Sequence, residues 1–175
     1  MLSSKELGEL SKTPAFHAEM KTIFFEAMNV GYATDAPKKQ SILWLPNNQT
    51  IEYKRGQWRV VDTYHVTQLG PRSGGTTLIA YEETPIWMMQ YFGEYEKEAI
   101  QCLKAALRTA YENKQFFGGR GPESFQCGEY VYTNSSPRNV WRNHNFGDRF
   151  NGEEEICDSR ARLYGWHTYQ GGGML

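Results

Sequence analysis

Apolar residues recur at steps of three and four through Phe16, Met20, Ile23, Phe24 and Ala27, which places them on one side of a helix. Thr13-Pro14 supplies an N-cap and a proline for the first helical position, and Gly31 a natural stop. Ahead of this helix, Ser3-x-x-Glu6 has the pattern of a capping box for a short first turn. A second stripe, formed by Ile100, Leu103, Ala106, Leu107 and Ala110, predicts a helix over about 95–111. Glu96, Lys97, Lys104 and Arg108 fall on its other side, as expected of a helix lying on a sheet.

Elsewhere the period drops to two. Segments 41–45 and 49–54 flank Pro46-Asn47-Asn48 and predict a hairpin. Further strands are expected at 57–67, 76–81, 85–92, 129–133, 140–146 and 160–169. Segment 85–92 is apolar on both faces, with Ile86, Met88 and Phe92 on one and Trp87, Met89 and Tyr91 on the other, which marks a central strand. The connections are short, so antiparallel pairing follows. The expected fold is α+β, a mainly antiparallel and strongly curved sheet packed against two main helices. Residues 1–175 are expected to form one domain, with 1–13 as an N-terminal extension or short helical turn.

Charge narrows the partners. Lys+Arg number 19 against Asp+Glu 20, and no basic stripe is visible, which argues against a nucleic-acid duplex as partner. The arginines at 138, 142, 149, 160 and 162 alternate with Asp148, Glu153, Glu154, Glu155 and Asp158, leaving that segment locally neutral. Cys102, Cys127 and Cys157 are odd in number and lack a C-x-x-C pair, so small buried thiols in a reducing compartment are expected rather than a disulfide framework or zinc site. His17, His65, His144 and His167 show no ligand spacing, and neither metal nor cofactor is expected. There is no signal segment and no apolar run of membrane length, which makes a cytoplasmic protein the expectation. Glycine (17 residues) and aromatics (14%) are both abundant, a composition suited to concave sheets lined by tyrosine and tryptophan.

Candidate chemistry starts at Asp62. Trp58, Val60, Asp62, Tyr64 and Val66 share one strand face, and the carboxylate sits in its apolar middle. A lone buried carboxylate costs several kcal/mol or shifts its pKa upward, so Asp62 needs a salt bridge, a donor cluster or a wet pocket. Glu154 has a similar address if 150–156 is extended, since Phe150, Gly152, Glu154 and Ile156 would share a face. The Asn151-Gly152 dipeptide favours a turn there instead, with Glu153, Glu154 and Glu155 all solvated. Phe117-Gly118-Gly119-Arg120-Gly121-Pro122 is the best anion-site candidate, because glycines let amides converge and an arginine fork suits an oxyanion. It follows a helix rather than preceding one, so it is no P-loop, and Arg120 pairing with Asp62 or Glu154 is an equal alternative. Residues 70–75, with Arg72, read as a flexible surface loop. Trp87 and Tyr91 could stack on a ligand ring or simply pack in the core.

Several fragments together resemble an uncharacterised bacterial family, domain-of-unknown-function family 5680. They are Gly31-Tyr32-Ala33, Tyr53-x-x-Gly56, Asp62-x-Tyr64 and Trp87-x-Met89-x-Tyr91-x-Gly93, then Leu103-Lys104-x-Ala106-Leu107 and Arg120-Gly121-Pro122. Gly128-x-Tyr130-x-Tyr132, Phe150-x-Gly152-x-Glu154-x-Ile156 and Gly171-Gly172 complete the set, over about residues 20–172. Two departures stand out: residues 68–75 replace a Gly-Gly that directly follows the aspartate strand, and Gly165-Trp166-His167 replaces a Cys-x-x-His element. The resemblance implies an α+β domain, in relatives sometimes joined to a helix-turn-helix repressor, and hence a small-molecule sensor. Its recurring polar positions fall on Asp62, Tyr64, Tyr91, Arg120 and Glu154.

The leading expectation is a non-enzymatic domain that binds a small polar ligand, anionic or nucleotide-like, in a sensing or sequestering role. Arg120 and the glycine-loop amides would hold the ligand, Tyr64, Trp87 and Tyr91 would wall it, and Asp62 would accept a hydrogen bond. The alternatives are a small hydrolase or lyase using Asp62 and Glu154 as a carboxylate pair, and a protein-interaction module with a free strand edge. Self-association is left open.

Overall fold

A computed structural model describes residues 2–32, 39–136 and 146–174. The helices are α1 (Ser4–Leu10), α2 (Pro14–Gly31) and α3 (Ile100–Glu112). The strands are β1 (Asn48–Arg55), β2 (Trp58–Val66), β3 (Arg72–Tyr81), β4 (Thr84–Tyr95), β5 (Ser124–Cys127), β6 (Tyr130–Ser135), β7 (Phe150–Asp158) and β8 (Leu163–Gly173). They form one open antiparallel sheet in the order β1-β2-β3-β4-β8-β7-β6-β5. Two four-stranded meanders thus grow inward from opposite edges and meet where β4 pairs with β8. The predicted α+β class holds, and β4 is central, as its two apolar faces require.

The helices cover one face. α2 packs over β1 and β2, α3 over β5 and β6, and the two touch each other. The Thr13 hydroxyl accepts from the Phe16 amide, Pro14 opens α2, and the whole Phe16–Ala27 stripe is buried. Gly31 is needed for close approach: a Cβ there would lie 2.6 Å from Ile51 Cδ1 on β1. The Ser3–Glu6 capping box of α1 is formed in full. Among the described residues no helix is long and apolar enough to cross a membrane.

Several elements differ from those the residue pattern predicts. Residues 41–45 are not a strand: the Asn48 side chain accepts from the Ile42 amide and donates to its carbonyl, both at 2.8 Å, folding that loop on itself. β1 therefore pairs with β2. α3 begins at Ile100 rather than near 95, because Tyr95 ends β4 and a 3-10 turn at Lys97–Ala99 intervenes. Residues 72–75 belong to β3, not to a surface loop, and 171–173 complete β8. The turn favoured at Asn151-Gly152 is instead extended β7, with Glu154 inward and Glu153 and Glu155 exposed. β5 was missed, being only four residues long. The expected strand 140–146 lies outside the described residues except for Phe146.

Candidate functional site

The inner sheet face carries a recurring device. Tyr91 on β4 pairs across from Gly75 on β3, Tyr95 on β4 from Gly165 on β8, and Tyr169 on β8 from Gly152 on β7. His167 on β8 pairs likewise with Gly93 on β4. A Cβ on any of these glycines would come within 2.1–2.6 Å of the opposing side chain, ring or hydroxyl. Each ring therefore lies flat across a glycine, and its polar tip reaches the strand beyond. Tyr91 donates to both oxygens of Asp62 on β2 at 3.1 Å. Tyr95 donates to Glu154 on β7 at 2.7 Å, and Tyr169 to Asn134 on β6 at 2.6 Å. His167 Nε2 meets Ser73 Oγ on β3 at 3.4 Å. The high glycine and tyrosine content has a common cause here.

Two carboxylates anchor this network. Asp62 is 1% exposed and Glu154 0%. Asp62 accepts from Thr77 Oγ1 at 2.6 Å, from Tyr91, and through a short bond from Tyr32. Burial pushes its pKa up, and the three hydroxyl donors only partly offset that. Glu154 accepts from Arg120 Nε at 2.9 Å and, by a short bond, from Nη2. Tyr132 adds a bond to its second oxygen at 2.5 Å. Burial alone would raise the Glu154 pKa, but the Arg120 charge and its hydrogen bonds hold it well below the usual range. Burial and the nearby carboxylates push the phenols of Tyr32, Tyr91, Tyr95 and Tyr132 well above their usual range, so all stay protonated.

The loop after α3 aims Arg120. Gly118 and Gly119 both take positive φ (67° and 76°), and a Cβ at Gly121 would lie 2.6 Å from the Tyr132 ring. Asn134 clamps the loop by donating to the carbonyls of Phe117 (3.0 Å) and Gly121 (2.7 Å). The Gly121 amide is taken by Tyr132 at 2.9 Å and the Arg120 amide by the Phe117 carbonyl. These two loop amides are therefore filled by the protein itself. The guanidinium lies 5.3 Å above the Tyr91 ring, which places Arg120 between the two carboxylates and bonded to only one of them.

His167 Nδ1 lies 3.3 Å from Arg120 Nη2 and 3.5 Å from Glu154. Burial lowers its pKa, and the Arg120 charge opposes the raising effect of Glu154. A neutral ring that accepts from Arg120 at Nδ1 and turns Nε2–H toward Ser73 fits both the direction and the shorter contact.

A cavity of about 360 Å³ opens onto this network. Tyr91, Tyr95, Arg120 and His167 floor it, Ile100, Leu103 and Leu107 of α3 wall it, and Lys39, Arg72 and Lys104 stand at its rim. Among the described residues its lining includes four cationic side chains and no carboxylate. Arg72 is tied to Glu94 at 3.0 Å. Lys39 Nζ lies 5.4 and 5.2 Å over the Tyr32 and Tyr64 rings and donates to the Tyr64 hydroxyl at 2.9 Å. A larger hollow of about 880 Å³ lies on the opposite sheet face, among Thr76, Gln90, Asn151, Thr168 and Gln170. Among the described residues its lining has no lysine or arginine and neither of the two carboxylates, so chemistry favours the smaller cavity over the larger one. Among the described residues no group of three His, Cys, Asp or Glu side chains could hold a metal ion.

Of the six candidates from sequence, Asp62, Tyr64, Tyr91, Arg120 and Glu154 converge on this network and its cavity. Trp87 does not. It is fully buried, stacked on Phe146 (5.0 Å) and near Phe150 (5.6 Å), with Nε1 donating to the Phe146 carbonyl. Sequence reasoning missed Tyr32, Lys39, Ser73, Thr77, Tyr95, Tyr132 and His167. An inward glycine opposite an aromatic would have pointed to Tyr95 and His167. Nothing local marks Tyr32 or Lys39.

Fold and site together define a class: an open antiparallel α+β domain whose inner face holds a buried tyrosine–carboxylate–arginine network beneath a cavity lined by cationic side chains. By sequence the chain belongs to the family described as Domain of unknown function (DUF5680), whose model matches residues 70–175. The match begins just before β3 and so covers Tyr91, Arg120, Glu154 and His167, but not Asp62 or Tyr64. No curated protein and no solved structure matches the chain.

Proposed function

We propose that this protein is a non-enzymatic binding domain for a small anionic molecule, a nucleotide-like one included, held in the cavity beside Arg120. One observation carries the reading: a buried arginine, neutralised on one edge by Glu154, borders a cavity lined, among the described residues, by further cations and no acid. Tyr64 and Tyr91 supply flat walls for a ring, and α3 supplies aliphatic ones. The hydrolase alternative draws less support. The pKa values of Asp62 and Glu154 are pushed apart, as an acid–base pair would need, but hydroxyl donors or Arg120 already fill the oxygens of both. The test is native mass spectrometry of protein purified from its host. A co-purifying small anion, lost on denaturation, is the expected result. A clean apo mass, with no thermal shift across a panel of nucleotides and organic acids, would overturn the reading.

A further inference from the structure

Resting on that binding reading, we propose that the ligand's head group is a fully ionised oxyanion, a carboxylate or phosphate monoester, received by Arg120 Nη1, Ser73 Oγ and Lys39 Nζ. A flat apolar body, about one ring in size, lies between the sheet tyrosines and α3.

The direction of the hydrogen bonds carries this assignment. Arg120 spends Nε and Nη2 on Glu154 and His167. Among the described residues Nη1 has no acceptor, and it is not one of the buried atoms left without a partner, so it is open to the cavity that Arg120 lines. Because Arg120 donates to Nδ1, neutral His167 carries its proton on Nε2 and donates to Ser73, whose own hydroxyl proton is then free. The Tyr64 hydroxyl accepts from Lys39 and likewise keeps its proton. Tyr32, Tyr91 and Tyr95 turn their protons to the two carboxylates. Among the described residues the lining includes no Asp, Glu, Asn or Gln side chain. What reaches the cavity is therefore a set of unspent donors, and their natural complement accepts without donating. A volume of about 360 Å³ is at the small end for ligand sites, which favours one ring over a dinucleotide. His167 acts through Ser73 and is a positioning residue.

Calorimetric titration of the full chain with benzoate, phenyl phosphate and benzamide tests this. Benzoate or phenyl phosphate is expected to bind at least about tenfold more tightly than benzamide, since a hydrogen bond to a charged group is worth roughly that factor. Whichever of the two binds better identifies the head group. Ser73→Ala and, separately, Lys39→Met should each weaken that binding by about fivefold to tenfold with an unchanged melting temperature. Benzamide binding as tightly as benzoate, or neither anion binding at millimolar concentration, overturns the oxyanion assignment. The cavity reading itself then stands or falls on the host-purified mass. Unchanged affinity in both variants overturns the residue assignment.

Discussion

Asp62 and Glu154 occupy equivalent places, inward positions on strands of the two meanders, equally buried, yet their charges are managed in opposite ways. Glu154 meets a cation and is held as a firm carboxylate, whereas Asp62 meets only hydroxyl groups and is pushed toward its neutral form. Burial does not set the ionisation state of a core acid. What decides it is whether a formal positive charge lies within bonding distance, and the glycine loop delivers Arg120 to one acid and not the other. Asp62 organises three hydroxyls, while Glu154 keeps an arginine in place whose far edge remains free.

The sharpest way to break this contrast is Glu154→Gln, which leaves Arg120 buried without a counter-charge and should cost about 3–5 kcal/mol in urea unfolding. Adding Arg120→Met should recover much of that loss. If the double variant is no better than the single one, the ion pair is not the source of the cost. Glu154 also sets a pH signature. Its folded pKa is depressed, so its contribution is present above the ordinary value of about 4.3 and is lost as the pH falls from there toward the folded value.

Gly165→Ala comes next, at about 1–3 kcal/mol, because the new methyl meets the Tyr95 ring at 2.1 Å and the Glu94 carbonyl at 2.8 Å. Gly75→Ala on the Asp62 side, with its methyl 2.6 Å from the Thr63 carbonyl and the Tyr91 hydroxyl, should cost a similar amount. Indifference to both changes would show that the rings do not need their glycines. His167 has a smaller effect. Its folded pKa is lowered, so its contribution is present above the ordinary value of about 6.5 and is lost as the pH falls through it. The drop in stability between about pH 7.5 and 5.5 should flatten in His167→Gln.

Asp62→Asn should change stability least, by about 1 kcal/mol or less at pH 7. The sign of its pH dependence follows from a raised folded pKa: ionised Asp62 costs stability above that value. The variant should therefore compare best with the parent at neutral pH and lose ground as the pH falls. A loss as large as that of Glu154→Gln would erase the distinction between the two sites.

How much of this was legible in the sequence depended on the range of the cause. The inward face of Asp62 could be read because Trp58 and Val60 fix the parity of β2 within one strand. The stripe of α2 and its N-cap at Thr13 were equally local, and both were found, whereas Gly31 is the last residue of the helix and Tyr32 caps it. Glu154 had the same parity signal through Phe150 and Ile156, but Asn151-Gly152 looked like a turn. Gly152 is there instead to make room for the Tyr169 hydroxyl, 2.2 Å from where its Cβ would be. Tyr95 fitted a helical stripe as well as a strand face, and only its reach to Glu154 across Gly165 decides the matter. Whether Arg120 would meet Asp62 or Glu154 depended on the order of eight strands, which no short pattern carries. Trp87 looked like a ligand wall because a tryptophan is chemically versatile, and its place was set by Phe146 and Phe150, distant in sequence.

The most direct measurement is a carbon-13 NMR titration of the side-chain carboxyls in the folded protein, assigned through Asp62→Asn and Glu154→Gln. Asp62 should titrate above the ordinary aspartate value of about 3.9, and Glu154 should remain ionised well below the ordinary glutamate value of about 4.3. Both midpoints falling on the same side of their ordinary values would contradict the division of charge on which the site rests.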